Sequence, residues 1–246
     1  MNQDINGVKL LVAGEHGLIL EFGATISPEI NALVQQCTRL LNRKKIAGII
    51  ELVPTYRSLA VYFNPLVVTR QELSQIITEM ISELHQLDKE CLGAKIVQIP
   101  VCYGGVLGPD LEFVARSVGL SAQEVIKIHT SKPYLVYMLG FTPGFPYLGG
   151  LPDQIAVPRQ EKLRINIPAG SVGIGGNQTG FYPTESKGEW WLIGRTPIKA
   201  FNSKDNNPFL VSSGDYLHFV HVGIDEYFAI RQEVEKGNYK PKISQI

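Results

Sequence analysis

Residues 163–176, LRINIPAGSVGIGG, indicate the architecture of the larger part of this chain. One short strand-like run precedes a Pro-Ala-Gly turn and a second run follows it, and two glycines end the second run. Proline and glycine interrupt regular structure, so neither run extends to the length of a helix. Short strands with this punctuation are typical of a compact β-barrel or sandwich. We therefore predict that this region is built from short strands.

Similar runs continue on both sides of this stretch. Further strands are predicted for short apolar segments bounded by Gly or Pro, namely KIVQIPVCY (95–103), YLVYML (134–139), IAVP (155–158), EWWLIG (189–194) and YLHFVHVG (216–223). Helices are predicted where apolar residues recur at helical spacing, namely GPDLEFVARSVGL (108–120), SAQEVIKIH (121–129) and DEYFAIRQEVEKG (225–237). The second part of the chain is therefore predicted to be mainly β.

The first 90 residues predict a separate α+β sandwich domain. The apolar runs VKLLVAG and GLILEFG predict a β-hairpin, and IAGIIELVP and SLAVYFNP predict two more strands. Ser27-Pro28 predicts the start of one helix, and Thr69 with Glu72 has the spacing of a capping box before a second. The order ββαββα predicts helices on one face of an antiparallel sheet. We predict domains 1–90 and 91–246, divided in the polar segment near residues 86–95.

Composition argues against several classes of function. The 246 residues carry 23 basic and 23 acidic side chains, so the net charge is zero and no general attraction to nucleic acid or anionic membranes is expected. We find no apolar run of about 18 residues and no secretory signal pattern. Cys37, Cys91 and Cys102 are odd in number and widely spaced, which argues against disulfides and zinc. We predict that these cysteines are small apolar residues that fill the core of a protein in a reducing cytoplasm.

Residues 140–152, GFTPGFPYLGGLP, form an uncharged segment with four glycines, three prolines and three aromatics. Such a segment favours a rigid loop, because proline lacks an N–H group and glycine is costly in helices and strands. Two interpretations stand. Phe141, Phe145 and Tyr147 line a ligand site as an apolar wall, or they close one end of the barrel.

Residues 167–183, IPAGSVGIGGNQTGFYP, form a second motif. It is neither a P-loop nor a dinucleotide fingerprint, because no helix is predicted after the glycines. A tight barrel corner is the commoner cause of such glycines. Asn177, Gln178 and Thr179 are neutral donors and acceptors that suit an amide or lactam. Ser171 lies in AGSVG, which lacks the pattern of a nucleophile elbow.

Arg195 and His129 are candidates for charge and proton chemistry. In EWWLIGRTP (189–197), Trp190 and Trp191 are predicted on opposite faces of a strand. Arg195 is the last residue of that strand. There it is placed to bind a carboxylate or a phosphate, or it simply lies in solvent. His129 is the last residue of a predicted helix. There it interacts favourably with the helix dipole, or it serves as an acid or base.

His218 and His221 are the remaining pair of interest. They are three residues apart in a predicted strand, so they face opposite sides and make a poor metal pair. No metal site is predicted.

Several of these motifs occur together in one order: GPDLEFVARSVGL, GFTPGFPYLGGLP, VPR, IPAGSVGIGGNQTGFYP and IGRTP. In this respect the chain resembles, over nearly its whole length, the 5-oxoprolinase B-subunit family, also called allophanate hydrolase subunit 1 or the kinase A inhibitor (KipI) family. The resemblance implies a small N-terminal α+β domain followed by a cyclophilin-like β-barrel domain.

The resemblance also implies an activity and partners. With the 5-oxoprolinase C subunit, built on a related barrel, and the A subunit, such a chain takes part in ATP-dependent hydrolysis of 5-oxo-L-proline to L-glutamate. ATP is used by the complex and is not assigned to this chain. Two alternatives come from the same family: inhibition of a sporulation sensor histidine kinase, and a carboxyltransferase-type role in a biotin-dependent urea carboxylase or allophanate system.

The roles that the resemblance implies fall on the motifs above. Arg195, or Arg159 and Arg164, would bind the carboxylate, and Gln178, Thr179 and N–H groups of the glycine segment would address the lactam. The remaining expected site residues are the water-excluding Phe145 and Tyr147, the substrate-binding Ser171 and Tyr182, and His129 as the candidate for proton transfer. Two departures from the family pattern are Leu163-Arg164 in place of Pro-Arg, and SKGEWW in place of SPGGW.

Overall fold

The computed structural model describes residues 3–84 and 94–245. They fall into two compact units, which divide between Leu92 and Gly93. The boundary predicted near residues 86–95 lies almost entirely outside the described residues, as does Cys91. Within the described part of the chain, no helix is long and apolar enough to cross a membrane.

The first unit is an antiparallel sheet with two helices. Its elements are β1 (Gln3–Ile5), β2 (Val8–Val12), β3 (Gly17–Glu21), α1 (Pro28–Lys44), β4 (Ile49–Pro54), β5 (Ser58–Phe63) and α2 (Arg70–Leu84). The strand order is β1-β2-β3-β5-β4, and each neighbouring pair is antiparallel. The predicted hairpin, strand pair and helices are confirmed. The short β1 was not predicted.

Both helix starts follow from their capping residues. The Ser27 side chain accepts a hydrogen bond from the Ile30 N–H at 3.2 Å, and Pro28 begins α1. The Thr69 hydroxyl accepts one from the Glu72 N–H at 3.2 Å, while the Glu72 carboxylate accepts one from the Thr69 N–H at 2.9 Å. These bonds occupy N–H groups that a helix leaves unpaired at its first turn.

The second unit contains most of the strands. Its elements are β6 (Lys95–Tyr103), α3 (Leu111–Ser117), α4 (Ala122–His129), β7 (Tyr134–Leu139), β8 (Pro146–Gly149), β9 (Arg164–Ile167), β10 (Ser171–Gly175), β11 (Gln178–Phe181), β12 (Ser186–Gly188), β13 (Trp191–Arg195), β14 (Tyr216–His221), α5 (Ile224–Glu235) and β15 (Ile243–Gln245).

The main sheet of this unit is a nearly closed barrel. Its strands follow the order β11-β10-β13-β6-β14-β7-β8, and β15 pairs with β6. The pairing of β6 with β14 is parallel, and every other pairing in this order is antiparallel. The two end strands approach each other, because a Cβ atom placed on Gly180 of β11 would lie 3.1 Å from the Pro146 carbonyl oxygen of β8. The predicted α+β class with a β-barrel is confirmed.

Two local predictions need correction. IAVP (155–158) is not a strand: Asp153–Ile155 forms a 3₁₀ turn, and Val157 makes an isolated bridge to Gly176. GFTPGFPYLGGLP is a loop only in part, because Pro146–Gly149 forms β8. Pro146 is the first residue of that strand, a position at which the missing N–H group is tolerated.

The inner and outer faces of the barrel are set by strand alternation. On β6, Val97, Ile99, Val101 and Tyr103 belong to the interior core, whereas Cys102 packs in a separate cluster on the outer face. The same alternation assigns a face to each candidate site residue on the neighbouring strands.

Candidate functional site

Four residues of adjacent strands form a row on the outer face of the barrel: Tyr182, Ser171, Arg195 and Cys102. Ser171 of β10 is directly opposite Arg195 of β13, and Arg195 is directly opposite Cys102 of β6. Tyr182 follows β11, and its N–H donates a 2.9 Å hydrogen bond to the Ser171 carbonyl oxygen. Residues directly opposite each other in antiparallel strands share a face. We call these four residues the outer row.

A β-bulge places Arg195 in the outer row. Val172 is opposite Gly194 and Gly173 is opposite Leu192, so Ile193 is the extra residue of β13. Leu192 packs on the outer face, and strict alternation from it would turn Arg195 inward. The extra residue changes the phase, so Gly194 faces the interior and Arg195 faces outward.

Two polar atoms of the outer row are buried without hydrogen-bond partners. They are the Oγ of Ser171 and the Nε of Arg195. Ser171 is 0% exposed, whereas Arg195 is half-buried. Within residues 3–84 and 94–245, the Arg195 side chain makes no hydrogen bond and no ion pair. Buried polar atoms normally have partners because desolvation is costly, so this pair of atoms indicates a ligand position.

The other two predicted arginine anchors already have partners. The Arg164 Nη2 lies 2.9 Å from the Asp110 carboxylate, which also accepts a 2.7 Å hydrogen bond from the Leu192 N–H. The exposed Arg159 donates a 2.8 Å hydrogen bond to Gln178. Of the three arginines, Arg195 is therefore the one that a carboxylate would satisfy.

An aromatic cluster adjoins the outer row at Tyr182. It consists of Phe145, Tyr147, Tyr182 and Trp190. Phe145 is at its centre, with ring centroids 5.2 Å from Tyr147, 5.5 Å from Tyr182 and 5.7 Å from Trp190. Burial raises the pKa of Tyr182 to about 12, so its phenol stays protonated. Phe145 is packed inside this cluster, whereas Phe141 is exposed.

Glycines of the 167–183 segment make room for the Trp190 indole. A Cβ atom on Gly173 would lie 3.2 Å from the Trp190 Cβ, one on Gly180 would lie 3.2 Å from its Cζ3, and one on Gly175 would overlap its Cδ1. Trp191, on the opposite face, stacks on Phe113 with centroids 3.9 Å apart. The predicted opposite orientation of the two tryptophans is confirmed, and the glycines serve to pack one of them.

His129 and Thr179 lie inside the barrel, on the other side of the sheet from the outer row. Thr179 Oγ1 donates to the Gly173 carbonyl oxygen at 2.9 Å, so it accepts from His129 Nε2 at 2.8 Å. His129 Nδ1 then accepts from the Tyr103 hydroxyl at 2.7 Å. Burial lowers the pKa of His129 to about 3, so the ring is neutral. The structure does not bring His129 and Thr179 together with Arg195.

His218 and His221, the two histidines of β14, do not contact each other. His218 Nε2 lies 3.0 Å from the Thr130 carbonyl oxygen, and His221 is exposed. Among the described residues, no group of three or more His, Cys, Asp or Glu side chains is placed to hold a metal ion.

Sequence reasoning missed two residues around the outer row. Asp110 pairs with Arg164, 54 residues away, which no local pattern indicates. Tyr227 of α5 packs with Cys102 at the end of the outer row. The apolar positions in DEYFAIRQEVEKG predict that this helix packs on the domain, but they do not predict which strand it covers.

Comparisons with known proteins agree with this architecture. The family model described as carboxyltransferase domain, subdomain C and D, matches residues 8–211. The B subunit of 5-oxoprolinase from Bacillus subtilis is 40% identical, and the alignment covers 89% of this chain and 95% of that protein. The crystal structure of TTHA0988 is 34% identical with a TM-score of 0.73, and the match covers 84% of this chain but 39% of that longer one.

A more distant likeness concerns the fold alone. The crystal structure of K. lactis urea amidolyase is 20% identical with a TM-score of 0.77, over 97% of this chain and 16% of that protein. The match to the carboxyltransferase model and the high identity to the Bacillus subtilis protein are sufficient to assign the family. This chain belongs to the 5-oxoprolinase B-subunit family.

Proposed function

We propose that this chain is the B subunit of an ATP-dependent 5-oxoprolinase, which hydrolyses 5-oxo-L-proline to L-glutamate together with the A and C subunits. In this reaction water adds to the lactam carbonyl carbon and the C–N bond breaks. The ring nitrogen becomes the amine of glutamate and the carbonyl carbon becomes a second carboxylate, while ATP is hydrolysed to ADP and phosphate. The names of the relatives support this proposal, and ATP is not assigned to this chain.

One observation of geometry carries the proposal: Arg195 has no acidic partner among the described residues, and its Nε is buried beside the unpaired Ser171 hydroxyl. 5-Oxo-L-proline carries one carboxylate, and a carboxylate accepts two hydrogen bonds side by side from a guanidinium group. Partial burial strengthens such an ion pair relative to one in open solvent. Tyr182, next to Ser171, would lie against the apolar edge of the lactam ring.

The proton transfer that this hydrolysis needs is not explained by the outer row. His129 is enclosed in the barrel and hydrogen-bonded at both ring nitrogens. A general acid or base must reach the substrate within hydrogen-bond distance. We therefore propose that a group other than His129 moves the proton in the assembled complex.

Replacing Arg195 with alanine tests the carboxylate anchor. In a complex reconstituted with the A and C subunits, Arg195→Ala is expected to raise the KM for 5-oxo-L-proline by about 10- to 100-fold, because a hydrogen bond to a charged group contributes about 1.5–3 kcal/mol. The measurement is ATP-dependent glutamate formation over a range of 5-oxo-L-proline concentrations. Arg159→Ala is the matched control, because Arg159 is exposed, and its KM should stay within about twofold.

Two results would count against the proposal in different ways. An unchanged KM for Arg195→Ala would remove Arg195 from the substrate site. A wild-type complex that releases no glutamate from 5-oxo-L-proline and ATP would overturn the oxoprolinase function itself.

A carboxyltransferase-type role is the second candidate. It is favoured by the match of residues 8–211 to a carboxyltransferase domain model and by the fold shared with urea amidolyase. Such a role requires a biotinylated partner. Activity that needs this partner and is abolished by avidin would favour it over the oxoprolinase.

A further inference from the structure

The end of the outer row is covered by Tyr227, the fourth residue of α5. Tyr227 packs with Cys102, Leu107 and Val222 in one buried cluster. Cys102 is directly opposite Arg195 in the sheet, and Arg195 is directly opposite Ser171. The helix therefore places a phenol against Cys102, one strand from Arg195 and two strands from Ser171. It does so from residues that follow the segment matched by the family model, 8–211.

The Tyr227 hydroxyl is a third donor without a partner. The side chain is 3% exposed, and its hydroxyl makes no hydrogen bond to any residue in the described ranges. Burial raises the pKa of Tyr227, while the charges of Arg195 and Arg231 act in the opposite direction. Unlike the Ser171 Oγ and the Arg195 Nε, the Tyr227 hydroxyl oxygen is not fully shielded from solvent, so a ligand arriving from solvent can reach it. The donors of β10, β13 and α5 thus lie on neighbouring elements along the outer row, and none has a side-chain hydrogen-bond acceptor among the described residues.

The charges around Tyr227 favour an anion. Arg195 and Arg231 are the basic groups that influence it, and no carboxylate of the described residues does so. The remaining titratable neighbour is the Cys102 thiol, whose pKa is raised by burial and which is therefore neutral. Arg231 is paired with the Glu235 carboxylate at 2.9 Å, so the uncompensated positive charge is that of Arg195, and each of the three unpaired polar groups can donate a hydrogen bond. This combination suits an anionic acceptor and disfavours a cation or a neutral donor ligand.

We propose that Ser171, Arg195 and Tyr227 form one carboxylate-binding site, in which the Tyr227 hydroxyl donates to one carboxylate oxygen while Arg195 and Ser171 donate to the carboxylate from the strand side. The choice of 5-oxo-L-proline as the carboxylate rests on the proposed function. Tyr227 is then a determinant of substrate specificity supplied by the C-terminal helix. A lactam without the carboxylate leaves all three donors unpaired, so the site rejects it.

Tyr227→Phe tests this site, because it removes the hydroxyl and keeps the ring that packs on Cys102. In the reconstituted complex, the KM for 5-oxo-L-proline should rise about tenfold, and kcat should stay within about twofold. Tyr239→Phe is the matched control, since Tyr239 is a partly buried phenol of the same unit outside the outer row, and both constants should stay near wild type. A Tyr227→Phe variant with the wild-type KM would overturn the inference.

A binding measurement separates this inference from the proposed function. Isothermal titration of the complex with 5-oxo-L-proline, 2-pyrrolidone and inorganic phosphate uses no turnover. We expect 5-oxo-L-proline to bind, Tyr227→Phe to weaken it about tenfold, and 2-pyrrolidone to bind at least about 100-fold more weakly. Equal binding of 2-pyrrolidone, or tighter binding of phosphate, would overturn the carboxylate site. If 5-oxo-L-proline binds as expected but no glutamate forms, the oxoprolinase function is refuted while the carboxylate site stands.

Discussion

Replacing His129 with leucine is expected to lower the free energy of unfolding of the second unit by about 3 kcal/mol, because it leaves the buried Tyr103 hydroxyl without its acceptor. The same change removes the hydrogen bond that His129 donates to Thr179. It also removes the stacking of the His129 ring on Phe219, whose ring centroids are 4.7 Å apart. At about 2–4 °C per kcal/mol for a unit of this size, Tm should fall by roughly 6–12 °C. Thermal unfolding followed by tryptophan fluorescence reports on this unit, since both tryptophans lie in it.

Two further variants identify the cause of this loss. His16→Leu makes the same chemical change at an exposed histidine and should alter stability by less than about 0.5 kcal/mol. Adding Tyr103→Phe to His129→Leu removes the unpaired hydroxyl, so the double variant should be more stable than the sum of the single effects predicts. Strictly additive losses would show that the hydrogen bond between Tyr103 and His129 does not contribute.

The same histidine gives stability a defined pH dependence. The pKa of His129 is about 3 in the folded protein, whereas the ordinary pKa of a histidine is 6.5. The folded pKa is the lower one, so the contribution of the neutral ring is complete above about pH 6.5 and is lost as pH falls toward 3. The loss is about 1.4 kcal/mol per pH unit. The slope between pH 6.5 and 5 should be smaller in His129→Leu, and an equal slope would contradict the buried neutral state.

Replacing Gly175 with alanine is expected to lower the free energy of unfolding by about 2–3 kcal/mol. The added methyl group would overlap the Trp190 indole, which is itself buried among Phe145 and Tyr182 and cannot turn away. Overpacking of this kind forces side chains off their preferred rotamers. Chemical denaturation of the variant measures the loss, and Trp190 fluorescence should change as well because the indole is displaced.

Gly140→Ala is the control for this substitution. A Cβ atom there would lie 3.5 Å from a Tyr147 ring atom, which is an ordinary contact, so stability should change by less than about 0.5 kcal/mol. A cycle with Trp190→Phe tests the mechanism, because a smaller ring should reduce the cost of Gly175→Ala by at least about 0.5 kcal/mol. No coupling between the two positions would refute the role of this glycine in holding Trp190.

Much of the fold follows from local patterns in the sequence. Ser27, Thr69 and Ser121 all cap the helices that their spacing predicts. The apolar runs of the first unit become paired strands, and the runs of the second unit form the barrel. Capping, helical spacing and Gly/Pro punctuation act over a few residues, which is why they can be read without a structure. The strand predicted for IAVP was wrong, because three apolar residues before a proline do not distinguish a strand from the end of a 3₁₀ turn.

Only part of the candidate site was predictable from the sequence, because Cys102 and Tyr227 were not among the expected site residues. Ser171, Tyr182 and Arg195 lie together, as expected for one site, but the outward position of Arg195 depends on the bulge at Ile193. Alternation along a strand cannot be followed through an extra residue that no sequence pattern marks. The interior position of His129 depends on contacts with Tyr103 and Thr179, which are 26 and 50 residues away. Such contacts follow from topology and not from motifs.

The parallel pairing of β6 with β14 bears on how the second unit assembles. β6 is its first strand, yet its neighbours in the sheet are β13, β14 and β15. The contact between Lys95 and Asp215 spans 120 residues. During synthesis, β6 leaves the ribosome long before any of these partners exists, so its backbone groups stay open to other chains. Closing such long loops slows folding. The barrel therefore forms only once the C-terminal strands arrive, and until then β6 is a strand open to aggregation.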